Sequence, residues 1–236
     1  MSIFFAEFFS TAILILLGNG VVANVVLDKT KGNNSGLIVI AFGWAIAVFT
    51  GVYMSAAHSG AHLNPAVSLA FVLEGRLAWN MLSTYWAAQF SGAMAGQLMV
   101  WLCYRNHYTE TNDALLARAS FCTSPAIRNL PQNFITEVIA TFVLVTGVFF
   151  ITSPTQSLGA LDALPVALLV LGIGVSLGGP TGYAINPARD LGPRIIHALL
   201  PIGNKTDSDW SYSWVPVLGP IAGAALAAIF YGFVNP

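Results

Sequence analysis

Two short polar segments hold most of the groups that could do chemistry. Residues 59–70 read SGAHLNPAVSLA and residues 181–192 read TGYAINPARDLG. Each contains Asn-Pro-Ala (Asn64-Pro65-Ala66 and Asn186-Pro187-Ala188) preceded in the same register by a small hydroxyl residue, Ser59 or Thr181. Proline suits the first turn of a helix, where its missing N–H costs nothing. Asparagine is a good N-cap, because its side-chain oxygen accepts from backbone N–H groups. That use leaves the amide NH2 to donate elsewhere. Arg189 follows the second copy and adds further donors. The chemistry on offer is hydrogen bonding to a neutral molecule. No acid–base pair or nucleophile constellation stands beside it, so the sequence does not read as an enzyme. His58, His107 and His197 have no ligand spacing, and Cys103 and Cys122 form neither a disulfide framework nor a metal site. No metal or cofactor is implied.

The elements that position these segments are apolar. The chain has 236 residues, 56% hydrophobic and only 8% charged, against about 25% charged in a soluble domain. Too little charge is present to coat a water-facing surface, so the partner is a lipid bilayer. A net charge of -1 excludes a nucleic-acid partner, which needs a basic surface. A membrane-spanning helix takes about 20 apolar residues, and six stretches qualify: 3–27, 36–57, 80–103, 134–153, 163–182 and 214–234. The first is too long for a secretory signal and no cationic segment precedes it, so it reads as a retained span. Two shorter apolar stretches, 64–73 and 186–200, each begin at an Asn-Pro-Ala. At about 1.5 Å per residue neither crosses a bilayer, which predicts half-helices that enter the membrane and stop. The fold class expected is therefore an all-α membrane protein.

The two halves also resemble each other. AEFFSTAILILLG at 6–18 aligns with TEVIATFVLVTG at 136–147, pairing Glu7 with Glu137, and SGAMAG at 91–96 aligns with AGAALA at 222–227. The expected organisation is a single channel domain over 1–236, made of repeats 1–103 and 134–236 joined by 104–133. Three spans per copy invert the second copy in the membrane. Inverted repeats with paired broken helices point to a site at the midplane. Inversion brings Asn64 and Asn186 face to face, and with them the positive ends of two helix dipoles. Irregular backbone at that depth must line a cavity or lie inside protein. A narrow pore with two Asn donors and a positive centre passes neutral molecules and opposes cations and protons.

With its paired motifs, six spans and internal repeat, the sequence resembles the major intrinsic protein family, the aquaporins and glycerol facilitators, over about 3–234. The resemblance implies the aquaporin fold and a pore narrowed by four residues near its outer mouth. Counted from the two Asn caps, these fall on Trp44, Gly174, Tyr183 and Arg189. Water-selective members usually carry a His at the second position. Gly174 removes that side chain, which is expected to widen the ring. Trp44 and Tyr183 would then face a carbon skeleton and Arg189 its hydroxyl groups. Asp190, directly after the Arg, resembles the glycerol-conducting branch. Many such relatives carry Phe where this chain has Tyr183. By the same resemblance Glu7 and Glu137 brace the re-entrant loops, His62 supports the first of them, and the protein is a homotetramer with one pore per subunit. Gly92, Ala93, Gly96, Gly223 and Ala227 suit close helix contacts within or between subunits.

The implied function is a passive plasma-membrane channel for glycerol and similar small uncharged solutes, with some water. Other readings stay open: a channel mainly for water, dihydroxyacetone, urea or undissociated lactic acid, or a membrane structural or adhesion protein with a vestigial pore. An ion-coupled transporter would need a titratable group in the path, and apart from Arg189 no ionisable side chain is assigned there. Charge counting and resemblance disagree on orientation. The connections at 28–35, 104–132 and 201–213 hold most of the Lys and Arg, and the opposite side holds Arg76. The positive-inside tendency puts the richer side in the cytoplasm. The resemblance puts both termini there instead and makes the richer side external, with the sequons at Asn33 and Asn204. The second orientation is the one expected here.

Overall fold

The structure is a computed structural model that describes residues 1–151 and 159–235. Its helices are α1 (Ile3–Val26), α2 (Leu37–Ser59), α3 (Pro65–Leu73), α4 (Leu82–Glu110), α5 (Ala114–Ala119), α6 (Leu130–Ile151), α7 (Leu164–Leu177), α8 (Pro187–Leu199) and α9 (Val215–Val234). Short 3-10 turns occupy Trp79–Met81 and Gly159–Leu161, and no strand occurs among the described residues. Helices α1, α2, α6 and α9 are each long and apolar enough to cross a membrane. The surface carries large exposed apolar side chains, among them Ile38, Phe42, Ile46, Ile139, Leu168, Ile229 and Phe233, which lipid rather than water would cover. The protein is a multi-pass membrane protein.

Three elements depart from the sequence reading. Helix α4 runs to Glu110 rather than 103, because Tyr104–Glu110 continue the helix without continuing the apolar run. Helix α7 has 14 residues and stops at Leu177 rather than 182. Gly178-Gly179-Pro180 follows, and glycine and proline do not sustain a helix. Helix α5 was not expected. It is capped by Asp113, whose Oδ1 accepts from the backbone N–H groups of Leu115 (2.8 Å) and Leu116 (3.2 Å).

The short helices are α3, with nine residues, and α8, with thirteen. They reach about 13 and 20 Å, well short of a hydrocarbon core of about 30 Å. The packing pairs α1 with α4 and α6 with α9, α3 with α9 and α8 with α4, and α2 with α7. Exchanging α1, α2, α3 and α4 for α6, α7, α8 and α9 leaves this set of pairs unchanged. The close crossings use glycine in equivalent places. A Cβ on Gly92 of α4 would stand 2.4 Å from the Phe8 carbonyl oxygen of α1, and a Cβ on Gly223 of α9 would stand 2.3 Å from that of Val138 in α6. Gly96 meets the Ala12 carbonyl in the same way at 2.3 Å. These small residues therefore serve contacts within the chain.

Candidate functional site: a pore between two half-helices

Asn64 and Asn186 cap α3 and α8. Asn64 Oδ1 accepts from the N–H of Ala66 at 2.9 Å, and Asn186 Oδ1 accepts from those of Ala188 (3.0 Å) and Arg189 (3.2 Å). Pro65 and Pro187 occupy the first turns. The amide groups reach across between the segments. Asn64 Nδ2 donates to the Ile185 carbonyl and Asn186 Nδ2 to the Leu63 carbonyl, each at 2.8 Å. One amide hydrogen per Asn is used in this way, and each NH2 has two.

The approach to each cap is an unusual backbone. Ala61 and Leu63 have φ of 55° and 53°, and Tyr183 and Ile185 have 38° and 45°. Left-handed non-glycine residues cost on the order of 1–3 kcal/mol each, so they need fixed partners. The buried carboxylates supply them. Glu7 accepts from the N–H groups of His62 (3.0 Å) and Leu63 (2.7 Å), from Ser59 Oγ (2.6 Å) and from Gln89 Nε2 (2.8 Å). Glu137 accepts from the N–H groups of Ala184 (3.0 Å) and Ile185 (2.8 Å). His62 Nδ1 lies 3.1 Å from Ser68 Oγ, and its ring packs on Phe71 and Tyr85. Tyr85 donates to the Ser59 carbonyl at 2.6 Å. Ser68, Tyr85 and Gln89 belong to this support without any local pattern that marks them.

A cavity of about 100 Å³ runs past both caps. Asn64 and Asn186 line it, as do His62, Trp44, Tyr183 and Arg189. Much of the remaining wall is apolar, with Leu14, Val48, Val52, Leu144, Val148, Val166 and Val170. The Arg189 guanidinium carbon lies 4.5 Å from the centroid of a Trp44 ring, a cation–π contact. Its Nη1 is buried without a partner among the described residues. The lining thus combines hydrocarbon and aromatic surface with fixed donors.

Gly174 does not line the cavity. A Cβ there would meet Tyr183 Cζ at 3.1 Å, Tyr183 Oη at 3.2 Å and Ala41 Cβ at 3.2 Å. The phenol therefore takes up space that the sequence reading assigned to a wider ring. The absent side chain makes room for Tyr183, which corrects the expected reason for Gly174.

Asp190 faces away from the cavity and is fully buried. It accepts from the Thr123 N–H (2.7 Å) and hydroxyl (2.6 Å), and it pairs with Arg194 at 2.7 Å. Arg194, also fully buried, donates to the carbonyls of Thr123, Ser208 and Asp209. This network ties α8 to the α5–α6 connection at Thr123 and to the α8–α9 connection at Ser208 and Asp209. Arg194 could have been picked out in the sequence as the i,i+4 partner of Asp190. Asp209 in turn pairs with Arg128 at 2.8 Å. Burial opposes its ionisation, yet Arg128 and Arg118 hold its carboxyl below the ordinary 3.8.

Comparison with known proteins adds to this geometry. The family model described as Major intrinsic protein matches residues 1–231. The chain belongs to the major intrinsic protein family. It is 53% identical to the glycerol uptake facilitator protein of Streptococcus pneumoniae (strain ATCC BAA-255 / R6), covering 98% of each chain. It is 52% identical to the probable glycerol uptake facilitator protein of Thermotoga maritima, over 99% of this chain and 100% of that one. Among solved structures, the aquaglyceroporin from Plasmodium falciparum superposes with a TM-score of 0.86 at 31% identity, covering 97% of this chain and 93% of its own. The fold is accordingly that of the aquaporins and aquaglyceroporins.

Proposed function

We propose that the protein is a passive membrane channel for glycerol and similar small uncharged solutes, with some water, and that it excludes protons and ions. It is a channel rather than an enzyme. The observation that carries this reading is the cavity itself: two Asn-capped helix starts meet on a passage with apolar walls and a buried arginine. A polyol offers carbon to one side and hydroxyl oxygen to the other. A cation meets two positive helix ends and Arg189. The names of the relatives, glycerol uptake facilitators and an aquaglyceroporin, support the same solute class.

Within this reading, Trp44, Gly174, Tyr183 and Arg189 form the selectivity region, and Glu7, Glu137 and His62 hold the loops. The chain is one channel domain built from two inverted copies. It resides in the plasma membrane with both termini in the cytoplasm, and it assembles as a homotetramer with a pore in each subunit. Stopped-flow shrinkage and reswelling of proteoliposomes tests the function with glycerol, dihydroxyacetone, urea and lactic acid at low pH. Rapid glycerol reswelling is expected, with no proton or ion current in a planar bilayer. Glycerol flux no faster than in empty liposomes, or a robust ionic conductance, overturns the reading.

A further inference from the structure

Arg76 stands in the α3–α4 connection, and its backbone is tied to the end of α3. Glu74 closes that helix, and Gly75 follows with φ of 75°. The Gly75 N–H donates to the Val72 carbonyl at 3.0 Å, and the Arg76 N–H donates to the Phe71 carbonyl at 2.8 Å. These are the two bonds of a Schellman turn, with glycine at its left-handed place. The turn folds residue 76 back over residue 71. An apolar side chain commonly makes that contact. Here a guanidinium makes it.

The guanidinium carbon of Arg76 lies 5.9 Å from the centroid of the Phe71 ring, 5.2 Å from that of Phe149 and 4.9 Å from that of Tyr231. All three distances are within cation–π range. The rings also meet one another, with Phe71 and Phe149 centroids 5.3 Å apart and Phe149 and Tyr231 centroids 4.9 Å apart. Phe149 of α6 and Tyr231 of α9 are buried, whereas Arg76 is exposed. A water-facing cation thus caps an aromatic cluster drawn from α3, α6 and α9. Phe71 carries that cluster to the cavity. It lines the cavity beside His62, whose ring centroid is 4.5 Å from its own, while Phe149, Tyr231 and Arg76 do not line it. This place is remote from Arg189. Asp190, next to Arg189, bonds Thr123 in the connection after α5, whereas Arg76 precedes α4, which runs 29 residues, about 43 Å, before α5 begins.

A phenylalanine on the wall of a narrow passage is wall when seated and obstruction when turned inward. Phe71 is half-buried, and its seat is made by His62 on one side and by Phe149 and the guanidinium on the other. We propose that Arg76 is a positioning residue for the passage: folded back by the Gly75 turn, it latches the Phe71 ring into the wall and keeps the α3 end of the cavity open to glycerol-sized solutes. Arg76 acts through Phe71 and touches no solute itself. A planar guanidinium on a long stem suits the task, because it stacks on aromatic faces and here spans three of them. The inference rests on the channel reading above and adds a second place, away from Arg189, where width is set.

The test compares glycerol and water permeability in proteoliposomes of the parent, Arg76→Gln, Arg76→Lys and Phe71→Ala, and of Arg76→Gln combined with Phe71→Ala. Size-exclusion chromatography in detergent gives the folded fraction to which flux is normalised. Arg76→Gln is expected to lower the glycerol-to-water ratio about two- to fivefold, the span of one exposed cation–π contact, because a freed ring obstructs the larger solute more. Arg76→Lys keeps the charge without the planar fork and should fall between the two. Once Phe71→Ala has removed the ring, Arg76→Gln should leave the ratio unmoved. If Phe71→Ala fails to fold, Phe71→Leu carries the coupling test. A parent that passes no glycerol sinks the channel reading itself. A parent that passes glycerol, with the same ratio per folded channel in Arg76→Gln, overturns the latch alone, whatever the folded yield. An Arg76→Gln effect that persists undiminished without the ring overturns positioning through Phe71.

Discussion

Three residues before its Asn cap, the first re-entrant segment has Ala61 and the second has Tyr183; three residues after it, the first has Val67 and the second Arg189. The backbones match at these places. Ala61 and Tyr183 are both left-handed, as are Leu63 and Ile185, and each segment hangs from a buried glutamate. The pairing of α2 with α7 carries a further exchange, since Trp44 corresponds to Gly174. One scaffold is thus used twice, with different side chains at the matching places. The bracing differs too. Ser68, four residues after Asn64, bonds neutrally with Gln89 and His62. The corresponding residue of α8 is Asp190, which is held ionically by Arg194. The segment that carries Tyr183 and Arg189 is the one braced by a buried ion pair.

The largest expected effect tests whether the shared scaffold is equally dependent on its two glutamates. Glu7→Ala leaves the His62 and Leu63 N–H groups without an acceptor and takes one of two acceptors from Ser59 Oγ and from Gln89 Nε2, whereas Glu137→Ala leaves only the Ala184 and Ile185 N–H groups without one. At about 1–3 kcal/mol for each buried group left unpaired, both variants should lose much of their folded yield, and Glu7→Ala more. Melting curves in detergent measure this, and equal losses would break the asymmetry. Next comes the residue that most separates the segments. Arg189→Val makes the second segment like the first at that place. It should admit solutes larger than glycerol and let cations or protons leak, read by liposome flux and bilayer current. An unchanged size limit would remove Arg189 from the ring.

Gly174→His sharpens the exchange with Trp44. The imidazole meets the Tyr183 phenol at its first atoms, so the phenol must swing into the passage. Glycerol flux should fall severalfold while water flux persists, and unchanged glycerol permeation would place the constriction elsewhere. The smallest effect concerns the charge network around α8. Asp209 is ionised below its ordinary 3.8 in the folded protein. Its contribution is therefore complete above that value and is lost as pH falls through the lower folded one. The difference in melting temperature between parent and Asp209→Asn should hold at pH 6 and shrink below about pH 4. It should stay small, as ion pairs with an exposed partner are.

Much of this was readable from local chemistry. Asn before Pro can do little else than cap a helix, so both half-helices were placed to within a residue of where they start. Long apolar runs gave the spans, but where polar residues stay helical, as at the end of α4, hydropathy loses the boundary. Helix α5 is six residues long with one buried side chain, Ala117, too short for any periodicity to register. Counting positions within the family resemblance picked out Trp44, Tyr183 and Arg189, which line the cavity. The relation between Gly174 and Tyr183 did not, because an absent side chain is read as a gap until the neighbour that fills it is known. Thr123 drew no notice for the same reason, since its partners lie on another element.

The crossed Asn bonds also set a schedule for synthesis. Asn64 finds its acceptor on Ile185, 121 residues later, and Leu63 waits for Asn186, 123 residues away. At about 5–20 residues per second, a ribosome takes roughly 6–25 s to cover that interval. Throughout it the first half-helix is inserted without the carbonyl that completes its cap, and its amide must be sheltered from lipid by the translocation machinery or by water. The pore is consequently a late event in biogenesis, closed only when the last third of the polypeptide arrives.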